Sequence, residues 1–349
     1  MNAESLVALL QRHRENAARV LDPEALDYFA TGSGEEISLS EAERAWREVR
    51  LLPHVLRDVS AIDTGVTVLG DALRAPIVVA STAYQLLAHG FGEVETARGA
   101  HAAGALMVVA TRATTRLEDI AAAAGAPWWF QVYVVRDRGI TRELVVRAKS
   151  AGGTALVLTG DTPVFGRKPR QGDPPVTEEM HLVNFGDHLA TRDGWRDDTA
   201  ADASITPDTI GWLREMSGLP VLVKGVLRAD DAAACVAAGA AGVIVSNHGA
   251  RQLDRAVSTV RALPAVVDAI GSNSTVLVDG GVRTGVDVLI ALALGARAVL
   301  IGRPVLWALA CDGAAGVSAL LNALRDDLVH AMMLAGCRSV SEITRDLIA

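Results

Sequence analysis

Cysteine, net positive charge and long apolar runs are all scarce in this chain of 349 residues, and each scarcity narrows what it can be. The three cysteines, Cys235, Cys311 and Cys337, are too few and too scattered for a disulfide framework or a zinc site. No metal site is therefore expected, and so sparse and odd a count suits a reducing compartment. Lys and Arg number 33 against 41 Asp and Glu, a formal net charge of −8 that argues against a nucleic-acid surface. No uninterrupted apolar run approaches the length of a membrane span, so no membrane partner is expected. Between Met1 and Val20 the only apolar stretch is Leu6 to Leu10, bounded by charged residues, which does not read as a signal peptide. Together these features predict a cytoplasmic protein.

Apolar residues make up 50% of the chain, enough for a large core. They are organised as short runs: Pro76–Ala80, Leu106–Ala110, Trp128–Val132, Ala155–Leu158, Val221–Val223, Gly242–Val245, Val276–Val278 and Ala298–Ile301. Runs without strict polar alternation suggest strands covered on both faces, as in a parallel sheet. The stretches between them, such as Ala229–Ala238 and Gly285–Leu294, are rich in Ala and followed by Gly, a helix stop. Eight strand–helix units predict an α/β fold, a TIM (β/α)8 barrel, as a single domain over residues 1–349. A helical extension is expected over residues 1–60 and a long insertion, a candidate active-site lid, over 169–207 after the fourth strand. The doubly wound alternative needs a phosphate fingerprint. Gly32-Ser33-Gly34-Glu35-Glu36-Ile37 lacks its third glycine and precedes no such unit.

The most informative segment is Ser246-Asn247-His248-Gly249-Ala250-Arg251-Gln252-Leu253-Asp254, directly after a strand. An imidazole accepts a proton near neutral pH, and a guanidinium three residues on can hold a carboxylate with two hydrogen bonds. That pairing suits removal of a proton or hydride next to a carboxylate. Active sites of barrels lie at the C-terminal strand ends. Reading those ends gives Ser81 with Thr82, Thr111, Gln131 with Tyr133, Thr159 with Asp161, Lys224, Ser246 with His248, Asp279 and Arg303, which would converge on one polar rim. Asp279-Gly280-Gly281-Val282-Arg283 and Gly302-Arg303-Pro304 follow strands seven and eight, the common phosphate site of this fold. Their glycines let backbone N–H groups approach an anion and their arginines add charge, while Asp279 could accept from a ribityl hydroxyl.

On these motifs, with Lys224-Gly225, Gln131-Val132-Tyr133 and the segment 246–254, the chain resembles the FMN-dependent 2-hydroxy-acid oxidase and dehydrogenase family from Asp27-Tyr28 to Ser339. Gly32–Glu35, Ala83-Tyr84-Gln85 and Trp307–Ala310 are most similar to bacterial 4-hydroxymandelate oxidases. The resemblance implies FMN as cofactor and oxidation of an (S)-2-hydroxy acid to the 2-oxo acid. It also implies oxygen or another electron acceptor, and a homo-oligomer, a tetramer in the family. His248 would take the hydroxyl proton while the C2 hydrogen passes to flavin N5. Asp161 would pair with His248, and Tyr133 would hydrogen-bond the 2-oxygen. Arg251 would hold the carboxylate with Tyr28, and Lys168 and Arg112 would face the substrate. Lys224 would lie near flavin N1. Gln131, Thr159 and Ser246 would bond the flavin's polar edge, and Ser81, Thr82 and Ala83 would approach N5. Asp279, Gly280, Gly281, Arg283, Gly302 and Arg303 would serve the ribityl phosphate.

The departures from the family pattern cluster around the pocket. Arg112 replaces an apolar or aromatic residue, Ala110 a Ser, Ser81 a Pro, Gly160 a Val and Lys168 an Arg, although Arg167 precedes it. His89-Gly90-Phe91-Gly92-Glu93 stands for His-Pro-Glu-Gly-Glu. This pattern suggests an active member with an aromatic or otherwise specialised substrate. A different phosphate-binding barrel, such as an isomerase, lacks a need for the carboxylate clamp of His248 and Arg251. A non-catalytic flavin-binding sensor lacks a need for Asp161, Tyr133, His248 and Arg251 together.

Overall fold

All eight apolar runs form parallel strands that close into one barrel. They are β1 (Ile77–Val79), β2 (Leu106–Val109), β3 (Trp128–Val132), β4 (Gly153–Thr159), β5 (Val221–Val226), β6 (Gly242–Val245), β7 (Thr275–Val278) and β8 (Ala298–Ile301). β8 pairs with β1 through Val299–Ile77 to Ile301–Val79, which seals the cylinder. The computed structural model describes residues 5–168, 174–186, 194–271 and 274–349.

Alternation along each strand divides the core in two. Val78, Leu106, Val108, Trp129, Ala155, Val157, Leu222, Ile244, Leu277 and Leu300 fill the barrel interior. Their neighbours Ile77, Val79, Met107, Val109, Phe130, Leu156, Leu158, Val243, Val245 and Val278 face the surrounding helices. Both sets are buried, which is why the runs show no polar alternation. An antiparallel hairpin, Val66–Val68 with Asp71–Leu73, adds Val66, Val68 and Leu73 to the interior cluster. Asp71 anchors it by accepting from Trp129 Nε1 at 2.8 Å and Thr154 Oγ1 at 2.7 Å. Nothing in the apolar pattern predicted this hairpin.

The N-terminal extension is helical as expected, with helices Leu6–Val20, Pro23–Ala30 and Ile37–Arg47. Ser5 and Asp22 cap the first two by accepting from Ala8 and Glu24 N–H. Among the described residues one helix, Arg303–Ala335, is long and apolar enough by composition to cross a membrane. Its Leu306, Leu309, Val317, Leu320, Leu324 and Leu328 are buried, as in a core helix, and it packs on Gly92–Ala103 and Leu6–Val20. Asp312 and Gly313 depart from helical geometry and kink it.

Of the insertion, residues 169–173 and 187–193 lie outside the described residues. The rest contains helices Glu178–Leu182 and Trp195–Asp198, and buries Leu182, Phe185 and Trp195. Asn184 ties it to the rim after β2, accepting from Leu117 N–H at 3.0 Å and donating to the carbonyls of Ala113 and Thr115 at 3.2 and 2.8 Å.

Candidate active site

The C-terminal strand ends surround a cleft of about 1190 Å³, counted out to its open mouth. Sixteen of the sequence-predicted residues line it: Tyr28, Ser81, Thr82, Ala83, Gln131, Tyr133, Thr159, Lys224, His248, Arg251, Asp279, Gly280, Gly281, Arg283, Gly302 and Arg303. Ala110 lines it as well. Asp161 and Ser246 stand behind the wall, each bonded to a residue that lines it.

His248 follows β6 in a turn where His248, Gly249 and Ala250 all have left-handed φ, of 57°, 62° and 60°. Such a conformation is unfavourable for a side chain with a Cβ and persists only where the surroundings enforce it. Here Ser246 Oγ accepts from His248 N–H at 3.0 Å, and Asn247 accepts from Ala250 N–H at its own carbonyl, 3.0 Å, and its side chain, 3.2 Å. The imidazole lies between two groups. Its Nδ1 is 2.9 Å from Asp161 Oδ1, and its Nε2 is 3.4 Å from the Tyr133 hydroxyl. Thr162 Oγ1 donates to the same Asp161 oxygen at 3.2 Å and is itself held by Gln252 Nε2. Burial alone would raise the Asp161 pKa, but the His248 charge and hydrogen bond, then Lys224, more than offset it, and the net shift is downward. Asp161 therefore stands as a carboxylate beside the imidazole. Burial and the Asp161 charge push the Tyr133 hydroxyl up to about 12, so it remains a proton-bearing donor.

Gly225 makes this arrangement possible. The register between β5 and β6 slips between Lys224 and Val226, a bulge at Gly225, where φ is +104°. A Cβ there would lie 2.4 Å from Asp161 Cβ. Lys224, the last residue in register before the bulge, lines the cleft and ion-pairs with Asp279 at 3.0 Å while donating to Ser246 Oγ at 2.9 Å. Burial alone would lower the Lys224 pKa; Asp279 and Asp161 more than offset it, and the amine stays charged. Asp279 Oδ1 is buried with no hydrogen-bond partner among the described residues. Gln131 links the neighbouring strand ends, donating to Thr159 Oγ1 at 2.9 Å and accepting from Thr111 N–H at 3.0 Å.

The opposite end of the cleft is cationic. Arg303 begins the helix after β8, where unpaired N–H groups and the helix dipole favour an anion. Burial, then Arg251 and Arg283, press the Arg303 pKa down to about 9, a penalty that an anion alongside would relieve. Arg303 donates to the carbonyls of Phe29, Gly249 and Thr31 at 2.9, 2.9 and 3.3 Å. Arg251 donates to the carbonyls of Tyr28 and Thr31 at 2.6 and 2.8 Å, and its guanidinium lies 4.9 Å from the Tyr28 ring centre. Neither has a carboxylate at salt-bridge distance among the described residues. Arg283 instead pairs with Glu43 at 3.1 Å. Gly302 leaves open space, since a Cβ there would meet nothing closer than 3.9 Å. Gly281 has a different reason to be glycine. Its φ is +86° and a Cβ would lie 2.2 Å from Ala42 O, so it lets helix Ile37–Arg47 close over the cleft.

Two predicted substrate residues stand outside the lining. Arg112, expected to face the substrate, is turned to the insertion: it contacts His181 Nε2 at 2.8 Å and donates to Thr199 O at 3.0 Å. Burial and the Arg112 charge lower the His181 pKa to about 4, which leaves a neutral imidazole to accept that bond. Lys168 is half-buried, and burial with the charge of Arg251 lowers its pKa to about 8. The sequence reading also missed Asp254. Its carboxylate accepts from Glu35 N–H at 2.8 Å and Ser38 N–H at 2.9 Å, and so fastens the N-terminal extension to the loop bearing His248. Its place within the segment 246–254 was visible, but its partners were not.

Comparison with known proteins shows the family of the chain. The family described as FMN-dependent dehydrogenase matches residues 17–349. The chain belongs to the FMN-dependent 2-hydroxy-acid oxidase and dehydrogenase family. It is 41% identical to an L-lactate oxidase of Nostoc sp., over 98% of both chains. It is 43% identical to glycolate oxidase of Spinacia oleracea, over 93% of this chain and 90% of that one. A solved mandelate oxidase with (S)-4-hydroxymandelic acid superposes with a TM-score of 0.88 at 40% identity, covering 97% of this chain and 98% of that one. The family's cofactor, FMN, fits the residues present. The orphaned Asp279 Oδ1 suits a ribityl hydroxyl, and the open space at Gly302 beside Arg303 suits a phosphate. Lys224, charged and buried, suits a ring that gains negative charge on reduction.

Proposed function

We propose that this FMN enzyme oxidises an (S)-2-hydroxy acid with an aromatic or otherwise bulky substituent to the 2-oxo acid, with His248 as base and oxygen as final acceptor. The observation that carries the reading is the His248 pair: Nδ1 fixed by Asp161 at 2.9 Å, Nε2 left beside Tyr133, and Arg251 in the same cleft wall. FMN supplies the hydride acceptor when bound. Arg251 binds the substrate carboxylate, which places the 2-hydroxyl near His248 Nε2. His248 takes the hydroxyl proton there, and the resulting imidazolium lies against the Asp161 carboxylate. Tyr133 donates to the 2-oxygen as charge builds on it.

An aromatic substituent is supported by the rings at the mouth. Tyr28 and Tyr133 line the cleft, Tyr84 lies 5.6 Å from Tyr28 between ring centres, and His181 lies 6.3 Å from Tyr84. Tilted ring contacts of this kind favour an aryl guest. The mandelate oxidase neighbour supports the same class. Arg112 lies outside the cleft lining and bonds to His181, so it acts on substituent choice only through the insertion. Anaerobic mixing with (S)-mandelate, glycolate and L-lactate tests the reading. The flavin should bleach fastest with (S)-mandelate, and air should restore it with release of hydrogen peroxide. Faster bleaching by glycolate would overturn the aromatic assignment, and slow reoxidation in air would overturn the oxidase assignment.

A further inference from the structure

Glu93 is a fully buried acid that the chemistry above does not use. It lies in the first turn of helix Gly92–Ala103, after β1. Its two oxygens receive the N–H groups of Gln85 and Thr114 at 3.1 and 2.9 Å and the hydroxyls of Thr114 and Thr115 at 3.0 and 3.1 Å. The Thr114 hydroxyl also accepts from Leu86 N–H at 2.9 Å, so its own hydrogen is free for Glu93. Four donors on two oxygens match the full acceptor capacity of an ionised carboxylate. No Lys or Arg pairs with Glu93 among the described residues.

These donors come from two different rim loops, the one after β1 and the one after β2. The first contains Ser81, Thr82 and Ala83, which line the FMN cleft. Gln85 passes the constraint on: its side-chain N–H donates to Thr82 O at 3.1 Å and Thr82 Oγ1 at 2.9 Å, and its Oε1 accepts from Thr96 at 2.6 Å. Between them Tyr84 has a left-handed φ of 62°. A tyrosine holds such a backbone only where its neighbours over-determine it. Glu93 at one end and Gln85 along the loop supply that constraint.

We propose that Glu93, acting through Gln85, is a positioning residue for the flavin: its buried carboxylate holds the Thr82–Tyr84 backbone in the shape that meets FMN. The inference rests on the FMN site and not on the identity of the substrate. The test is Glu93→Gln, which keeps shape but turns one acceptor oxygen into a donor facing hydroxyls, with Thr96→Val as a milder break of the same chain. Holoenzyme of each variant is titrated with sulfite, and apoprotein with free FMN. Both dissociation constants should rise about 10-fold in Glu93→Gln, the size that outer partners of a bound group commonly carry. Thr96→Val should move the same two constants in the same direction by less. If both variants bind sulfite and FMN as the wild type does, with or without a lower melting temperature, Glu93 is a packing residue only and the proposal falls. Should Glu93→Gln fail to fold, the Thr96→Val titrations decide alone.

Discussion

Asp161 engages His248 at Nδ1, 2.9 Å from Oδ1, and so leaves Nε2 to the side where Tyr133 lies 3.4 Å away. In the proposed mechanism the two ring nitrogens have separate duties, one for orientation and one for proton transfer. His248→Ala should slow anaerobic flavin reduction by about 10²–10⁴-fold, the range of general-base catalysis, while FMN remains bound. Stopped-flow bleaching at saturating substrate measures it, and a rate near that of the wild type would remove His248 from its role.

Arg251 donates to the carbonyls of Tyr28 and Thr31, and in the proposed mechanism it also holds the substrate carboxylate. Arg251→Met should therefore weaken unreactive carboxylate inhibitors and slow turnover together. It should also reduce stability by about 1–3 kcal/mol, because two buried carbonyls lose a charged donor. Inhibitor titration and urea unfolding of the holoenzyme read the two effects separately. Loss of stability with inhibitor binding intact would make the residue structural.

Lys224→Met leaves Asp279 buried without its cation. Sulfite affinity of the bound flavin should fall, since negative charge placed on the ring loses its neighbour. Unchanged affinity would mean that the amine serves Asp279 and Ser246 alone.

Lys168 gives a pH signature. Its pKa is depressed to about 8, so the folded protein sheds this charge before an exposed lysine would. The charge is present below pH 8 and lost as pH rises through it. If Lys168 assists the substrate carboxylate, inhibitor affinity should decline across about pH 7–9 in the wild type and be flat there in Lys168→Met. Parallel curves for the two proteins would exclude it from binding. For stability the sign is opposite: folding carries the cost of a half-buried cation below pH 8, and that cost disappears as pH rises towards the unfolded-state value.

Arg112→Leu removes two of the contacts from the rim after β2 to the insertion, those to His181 and Thr199, and leaves the Asn184 bonds. Cleavage by trypsin within residues 174–207 should accelerate, and the ranking of 2-hydroxy acids should shift towards apolar side chains. An unchanged ranking with faster cleavage would confine Arg112 to holding the insertion.

The barrel was legible because each of its strands is buried on both faces, which leaves an unbroken apolar run such as Gly242–Val245 or Ala298–Ile301. The hairpin at Val66–Leu73 was not, because Thr67 and Asp71 break its apolar residues and leave no run to read. Cleft-lining residues at strand ends, such as His248 and Arg303, were named from type and position. What supports them was hidden. Gly225 beside Asp161 and Asp254 under Glu35 act through contacts between distant parts of the chain, and no local pattern encodes those. Arg112 shows the same limit. Its type was visible, but its partners sit in an insertion without periodicity.

The clamp between the N-terminal extension and the loop after β6 has a consequence for how the enzyme comes into being. Arg251 reaches back 223 residues to Tyr28, and Asp254 reaches back 219 to Glu35. Tyr28 and helix Ile37–Arg47 are made first, yet their places exist only once β6 and its loop have been synthesised. Contacts so remote in sequence are slow to form, because chain entropy must be surrendered before they stabilise anything. Closure of the flank over Arg251 is therefore expected to lag behind the local strand pairs such as β2 with β3. Pulse-labelling hydrogen exchange during refolding should show the Glu35 and Ser38 amides protected later than those of β2 and β3. Competence, for this protein, arrives with the return of its own beginning.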